Sequence, residues 1–471
     1  PIDTLRDRLK AHGQGHVLRF YDELTPEQQS ELRSDLADLD LDTLDDLVER
    51  FVRHDAAFTL PDQLEPAPVY PWEMGDADLA ARYRHAGEEL VRAGRIAAFT
   101  VAGGQGTRLG WAGPKGTFPA TPVTGKALFH TMAEQILATE QRYGVTIPWY
   151  IMTSPLNDAD TRSFFEDNNC FGLQRSNLYL FPQGTMPSLE RDTGRLLLAE
   201  KHRLAVNPDG HGGALKALRD SGALEDMRNR GIEHISYTQV DNPLVRIIDP
   251  LFIGLHATAP DSSGDMSSKM VAKTDPAERV GVFARIDGRV TVIEYSDLPE
   301  ELAARRDERG ELRYRAGSIA VHLIGAEFVD RLTAAETYPL PFHRAIKQVP
   351  HIDPDTGQRI EPETPNAVKL EMFIFDALPH AESSVVYETR REDEFAPIKN
   401  KDGKDSAATS RRLQIERHAR WLEAAGITVP RTPSGEVDAS IEISPLTAMT
   451  ADELRDIGLP EQIESGATLA I

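Results

Sequence analysis

Cysteine is all but missing from this chain of 471 residues: Cys170 stands alone. No internal disulfide can form and no cysteine-based zinc site can be built, so a reducing, cytoplasmic setting is expected. Long apolar runs are missing too. No stretch approaches the roughly 18 apolar residues of a membrane helix, and the first residues set Asp3 and Asp7 among basic ones without an apolar secretory core. Positive charge is short: 52 Lys and Arg stand against 75 Asp and Glu, a formal net charge of −23. Such a surface repels nucleic acid and anionic membranes, and neither is expected as a partner. Small anions stay open as ligands, because a few cations in a pocket override the mean field. Gly-x-Ser-x-Gly elbows, nucleophile–base dyads, internal repeats and low-complexity tracts are also lacking. What is there is ordinary globular composition, 40% hydrophobic and 27% charged. The length suits one large domain with appendages, or two to three domains.

Leu5, Leu9, Val17, Leu18, Tyr21 and Leu24 recur at helical spacing, and residues 1 to about 60 read as helical. Thr25-Pro26-Glu27-Gln28 reads as an N-cap followed by proline at the first helical position, and a further cap is expected at Asp42 or Thr43. The proline-rich stretch from Pro61 to Trp72 reads as a linker. From about 90 to 400, apolar runs alternate with amphipathic ones. Strands are expected at 95–101, 148–153, 178–181 and 235–240, helices at about 127–143 and 158–168. This alternation predicts an α/β fold with a mostly parallel, mixed sheet flanked by helices. Val280 to Glu294 alternates around Asp287-Gly288, a hairpin signal. After Ser410 a helix through Arg417 and Trp421 leads to short strands around Ile441 to Leu446.

The richest stretch follows the first of those strands: Ala102-Gly103-Gly104-Gln105-Gly106-Thr107-Arg108-Leu109-Gly110, then Pro114-Lys115-Gly116. Glycines let a backbone turn tightly and approach a ligand with its N–H groups. Arg108 can fork onto phosphate oxygens, and Lys115 adds a point charge. No Gly-Lys-Ser/Thr closes a Walker A loop, and Leu109 falls where a dinucleotide fingerprint needs glycine. A second cluster, Asn207-Pro208-Asp209-Gly210-His211-Gly212-Gly213, reads by itself as a turn and helix start. Beside the first loop it becomes a lip of the same pocket, its glycines admitting a base or sugar and His211 offering a hydrogen bond; His211 lacks partners at zinc spacing. Asp241, in Val240-Asp241-Asn242, ends an apolar strand where a parallel sheet places its ligands, and suits Mg²⁺ on phosphates; a turn cap is the plain alternative. Arg390 to Asn400 mixes both signs and reads mostly as a solvated face, with Lys399 as a second phosphate cation. Together these residues predict in-line displacement at phosphorus through positioning and charge neutralisation.

At these residues the sequence resembles the UDP-N-acetylhexosamine pyrophosphorylases and the wider group of UTP-dependent sugar-1-phosphate uridylyltransferases. The likeness runs through nearly the whole chain. It starts at Gly15-His16 and Leu18-Arg19-Phe20 and takes in the 102–116 loops, Phe171-Gly172-Leu173, Phe181-Pro182-Gln183-Gly184, the 208–213 cluster and Val240-Asp241-Asn242. It continues through Val292 to Ser296, Ala316-Gly317-Ser318, Arg391 to Phe395 and Glu442 to Leu446. The resemblance implies three parts: a helical domain (residues 1–75), a nucleotide- and sugar-binding α/β domain (76–410) and a small C-terminal domain (411–471). It implies that UTP and a sugar 1-phosphate, N-acetylglucosamine or glucose 1-phosphate, give UDP-sugar and pyrophosphate with Mg²⁺. Carried over by position, Gly103, Gly104, Gln183 and Gly210 hold uracil, and Arg108 and Lys115 hold the β- and γ-phosphates. Lys399 neutralises the α-phosphate, Asp241 helps place the metal, and Gly281 and Glu294 face the sugar hydroxyls. The chain departs from the N-acetylhexosamine pattern at two sugar-side positions, His211 and Ser318, where the pattern has Asn. Gly-His-Gly looks more like the UDP-glucose and UDP-sugar branches. A UDP-glucose or UDP-galactose pyrophosphorylase and a non-catalytic nucleotide-sugar binding protein are therefore the other readings.

Overall fold

The computed structural model describes residues 2–37, 39–54, 60–61, 63–335, 337–455 and 457–471. The chain divides into two units. The first gathers Pro1–Thr59, Gly184–Gly213 and Leu340–Ile374; the second comprises Leu60–Gln183, Ala214–Pro339 and Phe375–Ile471. The bounds expected at 75 and 410 differ from this division, because three short helices have too little surface to enclose a core of their own.

In the first unit, α1 (Ile2–Ala11), α2 (Pro26–Ala37) and α3 (Leu41–Val48) form, whereas Val17, Leu18 and Tyr21, read at helical spacing, lie in short 3₁₀ turns at Gly15–Leu18 and Tyr21–Glu23, with Leu24 extended after them. Thr25 and Gln28 cap α2 reciprocally: Gln28 N donates to Thr25 Oγ1 (3.3 Å) and Thr25 N to Gln28 Oε1 (3.1 Å). The cap of α3 is Asp40, whose carboxylate accepts from Thr43 N (3.1 Å), rather than Asp42 or Thr43; its extended backbone lets it reach the orphan N–H. The helical reading of residues 55–59 lies outside the described residues. Leu9, Val17, Leu32 and Leu36 are fully buried with Leu189, Leu196, Val368 and Leu370, side chains supplied by an antiparallel sheet of 342–347, 367–372 and 189–190. The block around Gly15-His16 ties the helices to this wall. Gln14 accepts from Leu196 N (2.9 Å) and donates to Gly194 O (3.2 Å), and His16 Nε2 donates to Leu196 O (2.8 Å).

In the second unit ten strands form one large sheet among the described residues. They are β1 (Glu65–Pro66), β2 (Ile96–Val101), β3 (Trp149–Thr153), β4 (Leu178–Pro182), β5 (His234–Gln239), β6 (Met266–Ala272), β7 (Val282–Ile286), β8 (Arg289–Ile293), β9 (Ala316–Gly325) and β10 (Val386–Glu388). The order is β1-β7-β9-β5-β2-β3-β4, with β6 on β9, β10 on β6 and β8 on β7. The run β5-β2-β3-β4 is parallel, whereas β9 lies antiparallel to β5. The mixed α/β sheet is thus present, with the glycine loop on its parallel half. Phe99, Trp149, Tyr150 and Ile151 are fully buried, as strands covered on both faces require. Helices α4 (Leu128–Tyr143) and α5 (Asp158–Asp167) cover one face, where Phe129 meets Trp149 at 6.2 Å and Phe165 at 5.0 Å; on the other, Tyr150 OH donates to Asp226 (2.6 Å) of the helix Ala223–Asn229.

Asp287 (φ +50°) and Gly288 (φ +79°) turn β7 into β8, the pair of left-handed residues that a tight hairpin uses. Pro61 to Trp72 is more than a linker: Glu65 and Pro66 form an edge strand on β7, and Tyr70 bridges Tyr387. Proline is tolerated there because an edge strand has a ladder partner on one side only. Helix α6 (Ala407–Ala424), capped by Ser406 and Thr409, straddles the boundary expected at 410. It is anchored by Gln414, which donates to Ala120 O (3.0 Å), and by Arg411, which donates to Pro119 O (2.7 Å). Beyond it 439–442 and 467–470 pair in parallel over Leu422, Ile441, Leu454 and Ile463. No helix among the described residues is long and apolar enough to cross a membrane.

Candidate active site

β2, β4 and β5 run parallel, so their carboxyl ends share one edge of the sheet, and the antiparallel β9 begins there. Open parallel sheets bind ligands at that edge. Gly103 and Gly104 follow β2, Gln183 follows β4, Asp241 follows β5, and Ser318 lies near the start of β9.

The glycines of the first loop do different things. A Cβ on Gly103 would lie 2.4 Å from Gln183 Oε1, and one on Gly106 would lie 2.7 Å from Trp111 Cβ; at Gly104 nothing lies within 4 Å. Gly103 therefore admits the Gln183 amide, Gly106 admits an indole, and exposed Gly104 presents an open stretch of backbone. Asn157, fully buried, holds the loop in place. Its Nδ2 donates to Ala102 O (3.0 Å) and Gly104 O (3.3 Å), while its Oδ1 accepts from Ser154 N (2.8 Å). Lys115 N also donates to Gly104 O (3.0 Å), which places this cation beside the glycines.

Lys115 Nζ lies 3.6 Å from Asp241 Oδ2. The carbonyl of Asp241 accepts from Ile398 N (2.8 Å), so Lys399 follows a residue bonded to the acid's own peptide. Asn242 makes this docking: Nδ2 donates to Glu394 O (2.7 Å) and Oδ1 accepts from Ala396 N (3.0 Å). The segment read as a solvated face is therefore anchored inward. Glu394 is buried, with Oε2 2.6 Å from Lys269 Nζ, which also meets Asp249 Oδ2 at 2.7 Å. A lysine buried in a strand needs such partners. Arg108 is exposed on the 107–109 turn. Just beyond it, a Cβ on Gly110 would lie 3.6 Å from Lys401 Cδ, so this turn borders the segment after Lys399. Arg108, Lys115 and Lys399 thus stand on segments that meet at one strand-end site.

Gly281, Glu294 and Ser318 adjoin one another on the antiparallel half. Gly281 O accepts from Ser318 N (2.8 Å), and a Cβ at 281 would crowd Glu294 Oε1 at 3.1 Å. Gly210 and His211 belong to the first unit. A side chain at any glycine of their cluster would meet protein. A Cβ on Gly210 would lie 2.4 Å from Met372 O, one on Gly212 2.6 Å from Phe373 N, and one on Gly213 2.2 Å from Asp209 Oδ2. His211 Nδ1 accepts from Ile374 N (3.1 Å) and the ring stacks on Phe373 at 5.3 Å. Burial pulls its pKa down to about 4, so the neutral ring carries its proton on Nε2.

Sequence reasoning missed Asn157, the docking role of Asn242, and the Lys269–Glu394 pair. One signal was legible: a single lysine inside the run Met266-Ser267-Ser268-Lys269-Met270-Val271-Ala272. Among the described residues no three His, Cys, Asp or Glu side chains gather as a metal cage. Asp241 offers one hard oxygen donor. That fits Mg²⁺ in the mode where substrate phosphates and water complete the coordination.

Bare amides, cations and one acid at the strand ends of a mixed α/β sheet define a nucleotidyltransferase. The chain belongs to the UTP–glucose-1-phosphate uridylyltransferase family, whose model matches residues 50–432. It is 36% identical to the UDP-N-acetylhexosamine pyrophosphorylase-like protein 1 of Xenopus tropicalis, over 98% of this chain and 95% of that one. It is 34% identical to the UDP-N-acetylglucosamine diphosphorylase 2 of Arabidopsis thaliana, over 97% and 92%. Among solved structures, the uridine diphosphate N-acetylglucosamine pyrophosphorylase of Trypanosoma brucei in complex with inhibitor is similar at a TM-score of 0.81 and 27% identity, covering 98% of this chain and 97% of that one.

Proposed function

We propose that the chain transfers the uridylyl group of UTP to N-acetylglucosamine 1-phosphate, releasing pyrophosphate. The observation that carries this reading is the peptide of Asp241, bonded to Ile398 N while its carboxylate faces Lys115. The acid thus lies beside Lys115, and its peptide is bonded to the segment that leads into Lys399. An oxygen of the sugar phosphate attacks the α-phosphorus, a new P–O bond forms, and the bond to the oxygen bridging the β-phosphate breaks, pyrophosphate taking the electron pair. Lys399 neutralises the α-phosphate, and Arg108 and Lys115 take up the charge growing on the leaving pyrophosphate. Asp241 would hold Mg²⁺, which when bound supplies further charge neutralisation on the phosphate oxygens. The Gln183 amide donates and accepts at once, matching the imide edge of uracil, with Gly103 and Gly104 giving the base room. Gly281, Glu294 and Ser318 face the sugar hydroxyls. The roles of Gly210 toward uracil and His211 toward the sugar rest on the resemblance. A cytoplasmic setting fits the lone cysteine.

The choice of sugar rests on relatives named for N-acetylhexosamine and N-acetylglucosamine. Ser318, where the N-acetylhexosamine pattern has Asn, favours glucose 1-phosphate as the second reading. Pyrophosphate release from UTP, measured with glucose, galactose, N-acetylglucosamine and N-acetylgalactosamine 1-phosphates, tests both. N-acetylglucosamine 1-phosphate is expected to give the highest kcat/KM; a preference for glucose selects the second reading. Binding of UDP-sugars without release from any of the four would overturn transfer altogether.

A further inference from the structure

Within the second unit, a cavity of about 40 Å³ lies between α6, the Pro243–Arg246 turn and the Glu442–Met449 segment. At about 10–15 Å³ per water it holds about three waters, or one tetrahedral ion. Two guanidiniums line it. Arg246 makes no hydrogen bond among the described residues; burial opposes its charge, but the carboxylates of Asp249 and then Glu394 raise its pKa overall. Arg417 has Nε buried without a partner, while its Nη1 donates to Leu244 O (3.3 Å) and Asp393 O (3.2 Å) and its Nη2 to His418 Nε2 (3.4 Å). Burial, and then repulsion from Arg246, pulls the pKa of Arg417 down to about 10. The carboxylates on the same walls already have donors. Glu134 takes Lys126 Nζ (2.6 Å) and Ser444 Oγ (2.9 Å), and Glu442 takes the N–H groups of Val123 and Thr124 (both 2.8 Å). Asp393 takes Arg420 (2.8 Å), and Glu394 takes Lys269 (2.6 Å) and Thr389 (2.7 Å).

We propose that this cavity is a binding site for one free inorganic oxyanion of the phosphate class, held between Arg246 and Arg417. Its oxygens would accept from Arg417 Nε and from the Arg246 fork, donors that make no hydrogen bond among the described residues, and a volume of about 40 Å³ suits the bare ion better than an ester of a sugar or nucleoside. The site would also be coupled to the chemistry. Arg417 bonds carbonyls on the two segments that carry Asp241 and Lys399, so an ion that fixes Arg417 steadies both.

Calorimetric titration of the full chain with inorganic phosphate, at ionic strength fixed with chloride, tests the assignment. A phosphate site is expected in the wild type and in Lys115→Ala, and its affinity should fall at least tenfold in Arg417→Gln and Arg246→Lys. Glycerol phosphate should not compete for it. No heat beyond the chloride control would overturn the proposal. So would binding lost in Lys115→Ala but kept in both arginine variants, because the ion would then occupy only the strand-end site. Should Arg417→Gln fail to fold by circular dichroism, Arg246→Lys carries the test, since it keeps charge and stem and loses only the fork.

Discussion

Lys115 and Asp241 face each other across the end of β5, Nζ to Oδ2 at 3.6 Å, their side chains 15% and 13% exposed. Each balances the other's charge, and on the proposed function the triphosphate of UTP draws Lys115 toward itself. Lys115→Ala and Lys399→Ala are each expected to lower kcat by about 10²–10³, the usual cost of removing one preorganised charge at a transition state. Circular dichroism should stay unchanged. Near-normal turnover in a folded variant would remove that residue from the mechanism.

Gly103 and Gly104 should respond differently to alanine. At 103 the added methyl meets Gln183 Oε1 at 2.4 Å and must displace the amide. Gly103→Ala should therefore raise the KM for UTP and weaken the preference for UTP over ATP and GTP. At 104 nothing lies within 4 Å, so Gly104→Ala should leave the melting temperature untouched while activity drops. A Gly104→Ala protein as active as the wild type would mean that no ligand backs onto that residue.

Asn242 joins the end of β5 to the segment before Lys399 through bonds to Glu394 O and Ala396 N. Its replacement by Ala leaves two buried backbone groups unpaired, a loss of about 1–3 kcal/mol. Urea unfolding should show that loss, and kcat should fall beyond it, because Lys399 is no longer held beside Asp241. If stability drops while kcat holds under conditions where the variant is fully folded, Asn242 is structural only.

Acid should destabilise the protein through its buried histidines. The ordinary value is 6.5, and burial pulls His211 to about 4 and His418 to about 3. Between 6.5 and 4 the unfolded chain binds a proton on His211 that the native chain refuses. This contribution is therefore full above about 6.5 and drains away as pH falls toward 4. Denaturant titrations across that range should show falling stability, with a flatter slope in His211→Gln. An unchanged slope in that variant would contradict the assignment.

Much of the candidate site could be read without coordinates. The glycine loop after β2, its two cations, and an acid at a strand end all stand where local pattern puts them, because a buried strand followed by glycines can end only in a tight, amide-rich turn. Glu394 shows where such reading stops. In sequence it is one charge among many from Arg390 to Asn400; in the fold it lies 2.6 Å from Lys269 and anchors the approach to Lys399. Charge runs are mostly solvated, and nothing local distinguishes the one carboxylate that turns inward. At Gly212 and Gly213 a further reason for glycine became visible only in the fold: a side chain there would meet the Phe373 backbone and the Asp209 carboxylate.

Caps, helices, the Asp287-Gly288 hairpin and the strand-end glycines were settled by the chain's own order of residues, since they depend on sterics and hydrogen bonds within a few positions. The joining of 184–213 and 340–374 to the N-terminal helices was decided only in three dimensions, as was the seating of Lys399 beside Asp241. Both depend on which apolar faces find each other and on the order of strands in a sheet. Periodicity shows that a face will be buried; it carries no record of the partner that buries it.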